Sequence, residues 1–243
     1  MRHLVVTGLV AALLLVPSAS LAAVEASPAP TFAPGEAEAL ETMQASASTL
    51  WSLGDSAGAS ELMAQVVQTQ SRVLGPGHPD TLTTKNNLAA TLWSLGDYAG
   101  ASHLLEQVVE MRVHVLGPEH PDTLTTMNNL AHILWSLSDY PRARELQEQV
   151  IEANSRVLGP EHPSTLVAMD NLALTLRSLG EYLDARELQE QVLEAFSRVL
   201  GVEHPYSLTA MNNLATTLWS LGEYTEARDL QEQVVGARTR ILG

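Results

Sequence analysis

One interval governs this sequence. Five blocks end in Leu-Gly, at Leu74-Gly75, Leu116-Gly117, Leu158-Gly159, Leu200-Gly201 and Leu242-Gly243, each 42 residues after the last. His-Pro keeps the same period at His78, His120, His162 and His204. Trp keeps it at Trp51, Trp93, Trp135 and Trp219, with Arg177 in the fourth place. Several columns in register over five copies mean that one supersecondary unit is repeated and stacked, because a single copy cannot bury its own apolar face.

Each block reads as two helices. In the block that opens at Pro76, Asp80 and Thr81 follow Pro79 and are expected to cap the first helix. Lys85, Leu88, Ala89, Leu92 and Leu95 then share one helical face, and Met127, Met169 and Met211 make the Lys85 column apolar in later copies. Gly96-Asp97 breaks the helix. A second helix is expected over Tyr98–Leu116, with Ala101, Leu104 or Leu105, Val108, Met111 and Val115 buried, and Gly117-Pro118 ends it. The expected repeats are 36–75, 76–117, 118–159, 160–201 and 202–243. The first departs from the pattern, with Gln44-Ala45 where later blocks have Asn-Asn and no His-Pro-Asp, as suits a terminal repeat.

The pattern "NNLA..LW..GDY..A" with "LG.EHP.TL" resembles the tetratricopeptide repeat (TPR) in the 42-residue form of the kinesin light chain family. The resemblance spans residues 36–243. It implies an all-α fold, a right-handed TPR superhelix (α-solenoid) of about five helix-turn-helix repeats, and a protein-binding scaffold. The motor-associated heptad segment of that family has no counterpart here, so a transport role is not carried over.

The N-terminus is expected to direct export. Arg2 precedes a 13-residue apolar run, Leu4 to Val16, broken by Pro17. Ser20 and Ala22 stand three and one before an expected cut at Ala22/Ala23, the pattern of a secretory signal peptide over residues 1–22. Thirteen helical residues span about 20 Å, short of the ~30 Å hydrocarbon layer. Residues 23–35 are Ala/Pro-rich and read as a linker. No membrane association is expected after cleavage.

Charge and composition narrow the partners. Acidic side chains number 28 against 13 basic ones, a net charge of -15, which disfavours nucleic acid. The chain has no cysteine, so disulfides and thiolate metal sites are excluded. The four His-Pro histidines lie one repeat apart. Stacked helices are spaced about 10 Å, whereas zinc holds its ligands at about 2 Å, so the four cannot share an ion. They are expected to pack or hydrogen-bond in the loops. His103, His114 and His132 are unrepeated. The acidic run Glu145, Glu148, Glu152 is expected to be a solvated face.

The candidate site lies on the first helices. Asn87, Asn129, Asn171 and Asn213 form one column, with Asn86, Asn128, Asp170 and Asn212 beside it. Asn is a mediocre helix former, so its recurrence mid-helix needs a reason. Two remain open: bridging to the neighbouring repeat, or lining a concave groove where carboxamides hold an extended backbone. In the resembled family the Asn at the positions of Asn87, Asn129, Asn171 and Asn213 has the second role. Trp93, Trp135 and Trp219 likewise either pack between repeats or anchor a ligand, and Arg177 could read a carboxylate.

These residues point to an exported protein–protein interaction scaffold that takes a peptide or extended protein segment in its groove. The alternative is a structural unit that self-associates by stacking through its uncapped C-terminal repeat, where Leu230, Val234, Val235 and Ile241 are expected to lie bare. No nucleophile–base pair, metal set or phosphate loop is visible, so neither enzymatic activity nor a cofactor is expected. The family comparison suggests acidic peptides, but only Lys85 and Arg177 lie near the groove, so a neutral or basic partner is expected.

Overall fold

The structure is a computed structural model that describes residues 35–242. The apolar run at 4–16, the expected cleavage point and most of the expected linker lie outside these residues. Among the described residues there are ten helices and no strand: α1 (Glu36–Ser52), α2 (Ser56–Val73), α3 (Pro79–Ser94), α4 (Tyr98–Leu116), α5 (Pro121–Ser136), α6 (Tyr140–Val157), α7 (Pro163–Leu179), α8 (Tyr182–Leu200), α9 (Pro205–Leu221) and α10 (Tyr224–Leu242). They fall into two compact units that divide inside α5, one ending at Ile133 and the other starting at Leu134. Helices consecutive in sequence pack on each other from α1 to α4 in the first unit and from α6 to α10 in the second.

The repeated His-Pro answers a local need. Helix α3 starts at Pro79, and its N-cap is His78, two residues before the first expected cap, Asp80. The Asp80 N–H donates to His78 Nδ1 at 3.2 Å. The same bond recurs from Asp122 to His120 (3.1 Å), Ser164 to His162 (3.2 Å) and Tyr206 to His204 (3.2 Å). Each following Pro occupies the first helical position, where its missing N–H costs nothing. The next column then closes the loop: the hydroxyls of Thr81, Thr123, Thr165 and Ser207 donate to the carbonyls of Gly75, Gly117, Gly159 and Gly201 at 2.7–3.0 Å. Asp80 and Thr81 are therefore not the caps; Asp80 supplies the capped N–H and Thr81 ties the helix to the preceding Leu-Gly.

The second helices match the expected face for the most part. Ala101, Leu105 and Val108 are fully buried, but Val115 is exposed, and the sequence periodicity gave no hint that Arg112 would be buried. The first helices do not have one buried face. In α3, Leu95 is exposed and Leu88 and Leu92 are only half-buried, whereas Thr81, Thr84, Asn86, Ala90 and Thr91 join Ala89 and Leu82 inside. The reason is position: α3 packs against both α2 and α4, and α7 packs against α6, α8 and α9. A helix covered on several sides must bury its polar flank as well, which it does with small hydroxyl and carboxamide side chains. In the last pair, Val235 and Ile241 are exposed as expected, but Val234 is buried.

Candidate functional site

The Asn columns build cross-links between successive repeats. In the first unit, Asn129 Nδ2 on α5 donates to Asn86 Oδ1 on α3 at 3.1 Å, with both residues buried. In the second unit, Asn213 Nδ2 on α9 donates to Asp170 Oδ2 on α7 at 2.8 Å, again between buried residues. The rule is that the second residue of one Asn pair donates to the first residue of the pair one repeat earlier. Asn171 is buried too, and Asn128 and Asn212 are half-buried.

The first repeat breaks this rule. The partner for Asn87 would be residue 44, which is Gln. The Gln44 carboxamide, one methylene longer, donates instead to Thr84 Oγ1 at 3.4 Å. Asn87 stays half-buried and lines a partly open cavity of about 170 Å³ with Gln44, Ala47, Ser48, Met63, Val66 and Thr84. Ala47 and Val66 are fully buried and Met63 nearly so, which makes an apolar floor beneath a polar rim.

The second unit carries charge where the first is neutral. Asp170 is pushed up to about 6, chiefly by burial, against the opposing bond from Asn213 and the charge of Arg177. Burial lowers Arg177, while Asp170 supports its charge. The two departures from the repeat therefore sit seven residues apart on α7 and compensate each other. In the first unit, the His132 ring lies 5.2 Å from Trp93, its Nε2 is shielded from solvent, and burial holds it down to about 4. A wider depression of about 450 Å³ in the second unit includes Arg144, Glu148 and Glu181, but Arg144 is already paired with Glu148 at 2.8 Å and Glu181 at 3.1 Å. Glu145, Glu148 and Glu152 are all exposed. Among the described residues, no three His, Asp or Glu side chains are grouped to hold a metal ion.

Tetratricopeptide repeat models match residues 40–80 and 81–122, and also 104–156, 122–196 and 168–240. The chain belongs to the tetratricopeptide repeat family. Among solved structures, a Podosopora anserina protein described as a kinesin light chain with nearly identical TPR-like repeats is 32% identical, with a TM-score of 0.72 over 84% of this chain and 96% of that one. BtubC (BKLC) from P. vanneervenii is 20% identical, with a TM-score of 0.72 over 86% of this chain and 84% of that one. MamA from Desulfovibrio magneticus RS-1 is 14% identical, with a TM-score of 0.58 over 83% of this chain and 96% of that one. The last two likenesses are of fold alone. No curated protein matches the chain.

As a TPR fold, the chain is built as a protein–protein interaction scaffold; TPR proteins typically bind other proteins or peptides and are generally non-enzymatic. Its Trp column is used unevenly. Trp93 meets His132 of the next repeat, and Trp135 donates from Nε1 to Ser178 Oγ at 2.9 Å in the next repeat. Trp219 is 59% exposed beside Tyr224, with ring centroids 4.8 Å apart. The buried Arg112 is the residue that sequence reasoning missed. It donates to the Asp122 carbonyl (2.8 Å), Thr126 Oγ1 (2.7 Å) and Thr83 Oγ1 (3.2 Å). The available signal was the change of residue at one column, Gln70, Arg112, Asn154, Phe196 and Arg238.

Proposed function

We propose that the protein is an exported interaction scaffold that takes a neutral or basic peptide, or an extended segment of another protein, in the concave groove of its repeats. The TPR repeat carries this reading, since the chain is a tandem of helix pairs with no other built apparatus among the described residues. The Arg2 and Leu4 to Val16 pattern supports export. The charge of -15 supports a neutral or basic ligand, and association of a basic one should slow as salt rises.

Binding of labelled basic, neutral and acidic peptide pools to the full mature chain, at low and high salt, tests the charge preference. Preference for the acidic pool would overturn it. N-terminal sequencing of the exported protein should find a start near Ala23; an intact Met1 on exported, soluble protein would sink the export reading.

Exposed apolar side chains favour a second reading, self-association. Trp219, Tyr224, Val235 and Ile241 are all more than half exposed on the last helix pair. Covering a few hundred Å² of such surface, at about 25 cal/mol per Å², would favour association by several kcal/mol before its entropic cost. Sedimentation across a concentration series decides it: a strictly monomeric chain rejects this reading.

A further inference from the structure

We propose that copies of this chain stack head to tail, with the exposed face of α9 and α10 on one copy seated on the exposed face of α1 on the next, in the register that joins successive repeats within the chain. The proposal rests on the self-association reading and gives it a partner and a register.

Both faces are built from columns that the repeat buries elsewhere. Gln70, Arg112, Asn154 and Phe196 are buried, and the fifth member of their column, Arg238, is exposed. Leu193 on α8 packs against the cluster of Leu214, Ala215, Leu218 and Ala227 in the following pair, whereas its equivalent on α10, Val235, is 64% exposed. On α5, Thr123, Thr126, Asn129 and Ile133 are buried, but the same positions on α1 hold Ala39, Thr42, Ala45 and Thr49, all exposed. These side chains are small and uncharged, so a neighbouring helix can approach closely.

The side chains also match across the junction. Arg112 reaches into the following pair, donating to Thr126 Oγ1 at 2.7 Å and to the Asp122 carbonyl at 2.8 Å. The Thr126 hydroxyl donates to that same carbonyl at 2.9 Å. Arg238 is the other arginine of the column. In a stack, the pair that follows α9 and α10 is α1 and α2 of the next copy, which puts Thr42 in the position of Thr126 and Glu38 in that of Asp122. The Thr42 hydroxyl already donates to the Glu38 carbonyl at 2.8 Å, so α1 presents the acceptors that α5 presents to Arg112. The Asp122 charge supports the Arg112 guanidinium, and Glu38 brings the same sign beside Arg238. Where the column holds Asn154 or Phe196, the facing residue is Ala168 or Ala210, so arginine facing threonine is a specific pairing. The same step carries Trp219 to Ser52, as Trp135 donates to Ser178 Oγ at 2.9 Å, and Arg228 to Asp55, as Arg186 pairs with Glu223 at 2.9 Å. All of these matches share one register, which selects a second copy of the chain as the occupant. A contact between unlike faces leaves a free face at each end, so the assembly grows with concentration.

The test is sedimentation velocity of the full mature chain over a concentration series, with Val235→Glu blocking α10 and Ala45→Glu blocking α1. Both positions are exposed, so each variant should keep its Tm while associating at least about tenfold more weakly, because stacking would bury an unpaired charge. Mixed in equal amounts, the two variants should form a 1:1 dimer that grows no further, since each offers only one open face. Arg238→Glu should weaken stacking about tenfold or more, and Glu38→Arg added to it should restore it. The charge exchange reads the register independently of the blocks. If the chain self-associates but a blocked variant assembles alone at full strength, the mixture stays monomeric, or the exchange restores nothing, the head-to-tail register is wrong and self-association stands. A strictly monomeric wild-type chain overturns both.

Discussion

The two units solve one packing problem with different chemistry. At the column of Arg112, the first unit buries a guanidinium that ties α3, α4 and α5 through three hydrogen bonds. In the second unit the column holds Asn154, Phe196 and Arg238, and Phe196 is fully enclosed, packed with Leu166 and Ala210 and stacked on Tyr206 at 5.5 Å. At the Asn columns the order is reversed, with a neutral pair in the first unit and the ionisable Asp170 in the second. The repeat thus fixes where a residue must fill space between helices, and leaves open whether it does so with apolar contact or with directed polar bonds. A polar solution is orientation-specific and easily orphaned; an apolar one tolerates neighbours but leaves a hole when truncated.

The largest effects should come from that column. Phe196→Ala opens a cavity and should cost the second unit about 3–5 kcal/mol. Arg112→Ala should cost the first unit about 2–4 kcal/mol, by removing three hydrogen bonds and the packing of a buried side chain, although the Thr126 hydroxyl still donates to the Asp122 carbonyl at 2.9 Å. Hydrogen exchange read separately in residues before and after Ile133 checks both. If either substitution lowers protection equally throughout, the two units do not unfold independently and the comparison fails.

Acid should then drive the units in opposite directions. The folded-state pKa of Asp170 is raised, so the folded state holds a proton more tightly than the unfolded chain between about pH 4 and pH 6. Its contribution is fully present below about pH 4 and lost as pH rises through 6, a swing of about 3 kcal/mol. His132 is the reverse: its folded-state pKa is lowered to about 4, so its contribution is present above about pH 6.5 and lost as pH falls through 4. Between pH 6 and pH 4 the second unit should gain stability and the first should lose it. Asp170→Asn should remove the pH dependence of the second unit but leave Arg177 without its compensating charge. Asp170→Asn with Arg177→Trp, restoring both columns, should exceed either single change. Additive single changes would show that the two residues do not interact.

Much of this was legible in the sequence, for reasons that particular residues make plain. The Leu-Gly and His-Pro columns announce ten helices because they are chain punctuation, and punctuation acts locally. Tyr98–Leu116 was readable to the residue for the same cause. The cap was misplaced because the imidazole of His78 does the work usually assigned to Asp or Thr, and a side chain's acceptor role is invisible in a propensity. The Leu88, Leu92, Leu95 face failed because periodicity assumes one neighbour, whereas α3 has several. At the site, the Asn columns were visible but not their division of labour: only coordinates show that Asn129 and Asn213 are occupied between repeats while Asn87 faces a cavity.

The cross-links themselves give a mid-sized test. Asn129→Ala leaves the buried Asn86 carbonyl without its donor and should cost about 1–3 kcal/mol at any pH. Asn213→Ala removes a bond that favours ionised Asp170, so it should cost about 1.5–3 kcal/mol near neutrality and less once that carboxyl is protonated. Thermal melts at pH 7 and pH 4.5 should show the cost of Asn213→Ala falling in acid while that of Asn129→Ala stays constant. Parallel behaviour at both values would mean that Asp170 is not ionised in the folded chain near neutrality.

The smallest effect lies in the turns. The first unit enters α4 through Gly96 at φ 84°, and the second unit uses Gly180 and Gly222 at φ 86°. The equivalent turn before α6 holds Ser138 at φ 64°, the left-handed region that a Cβ disfavours. Its side chain receives a marginal bond from the Tyr140 hydroxyl at 3.5 Å, on the surface, which compensates for little. Ser138→Gly should therefore stabilise the second unit by about 0.5–1 kcal/mol, the relief of strain outweighing the extra freedom of the unfolded chain. Gly96→Ser should destabilise the first unit by a similar amount, since a Cβ there meets no neighbour and only the backbone angle opposes it. Chemical denaturation of both variants reads the pair. If Ser138→Gly is neutral or harmful, the polar contact at that turn outweighs the angle, and the Gly column is kept for flexibility before α4, α8 and α10 rather than for conformation.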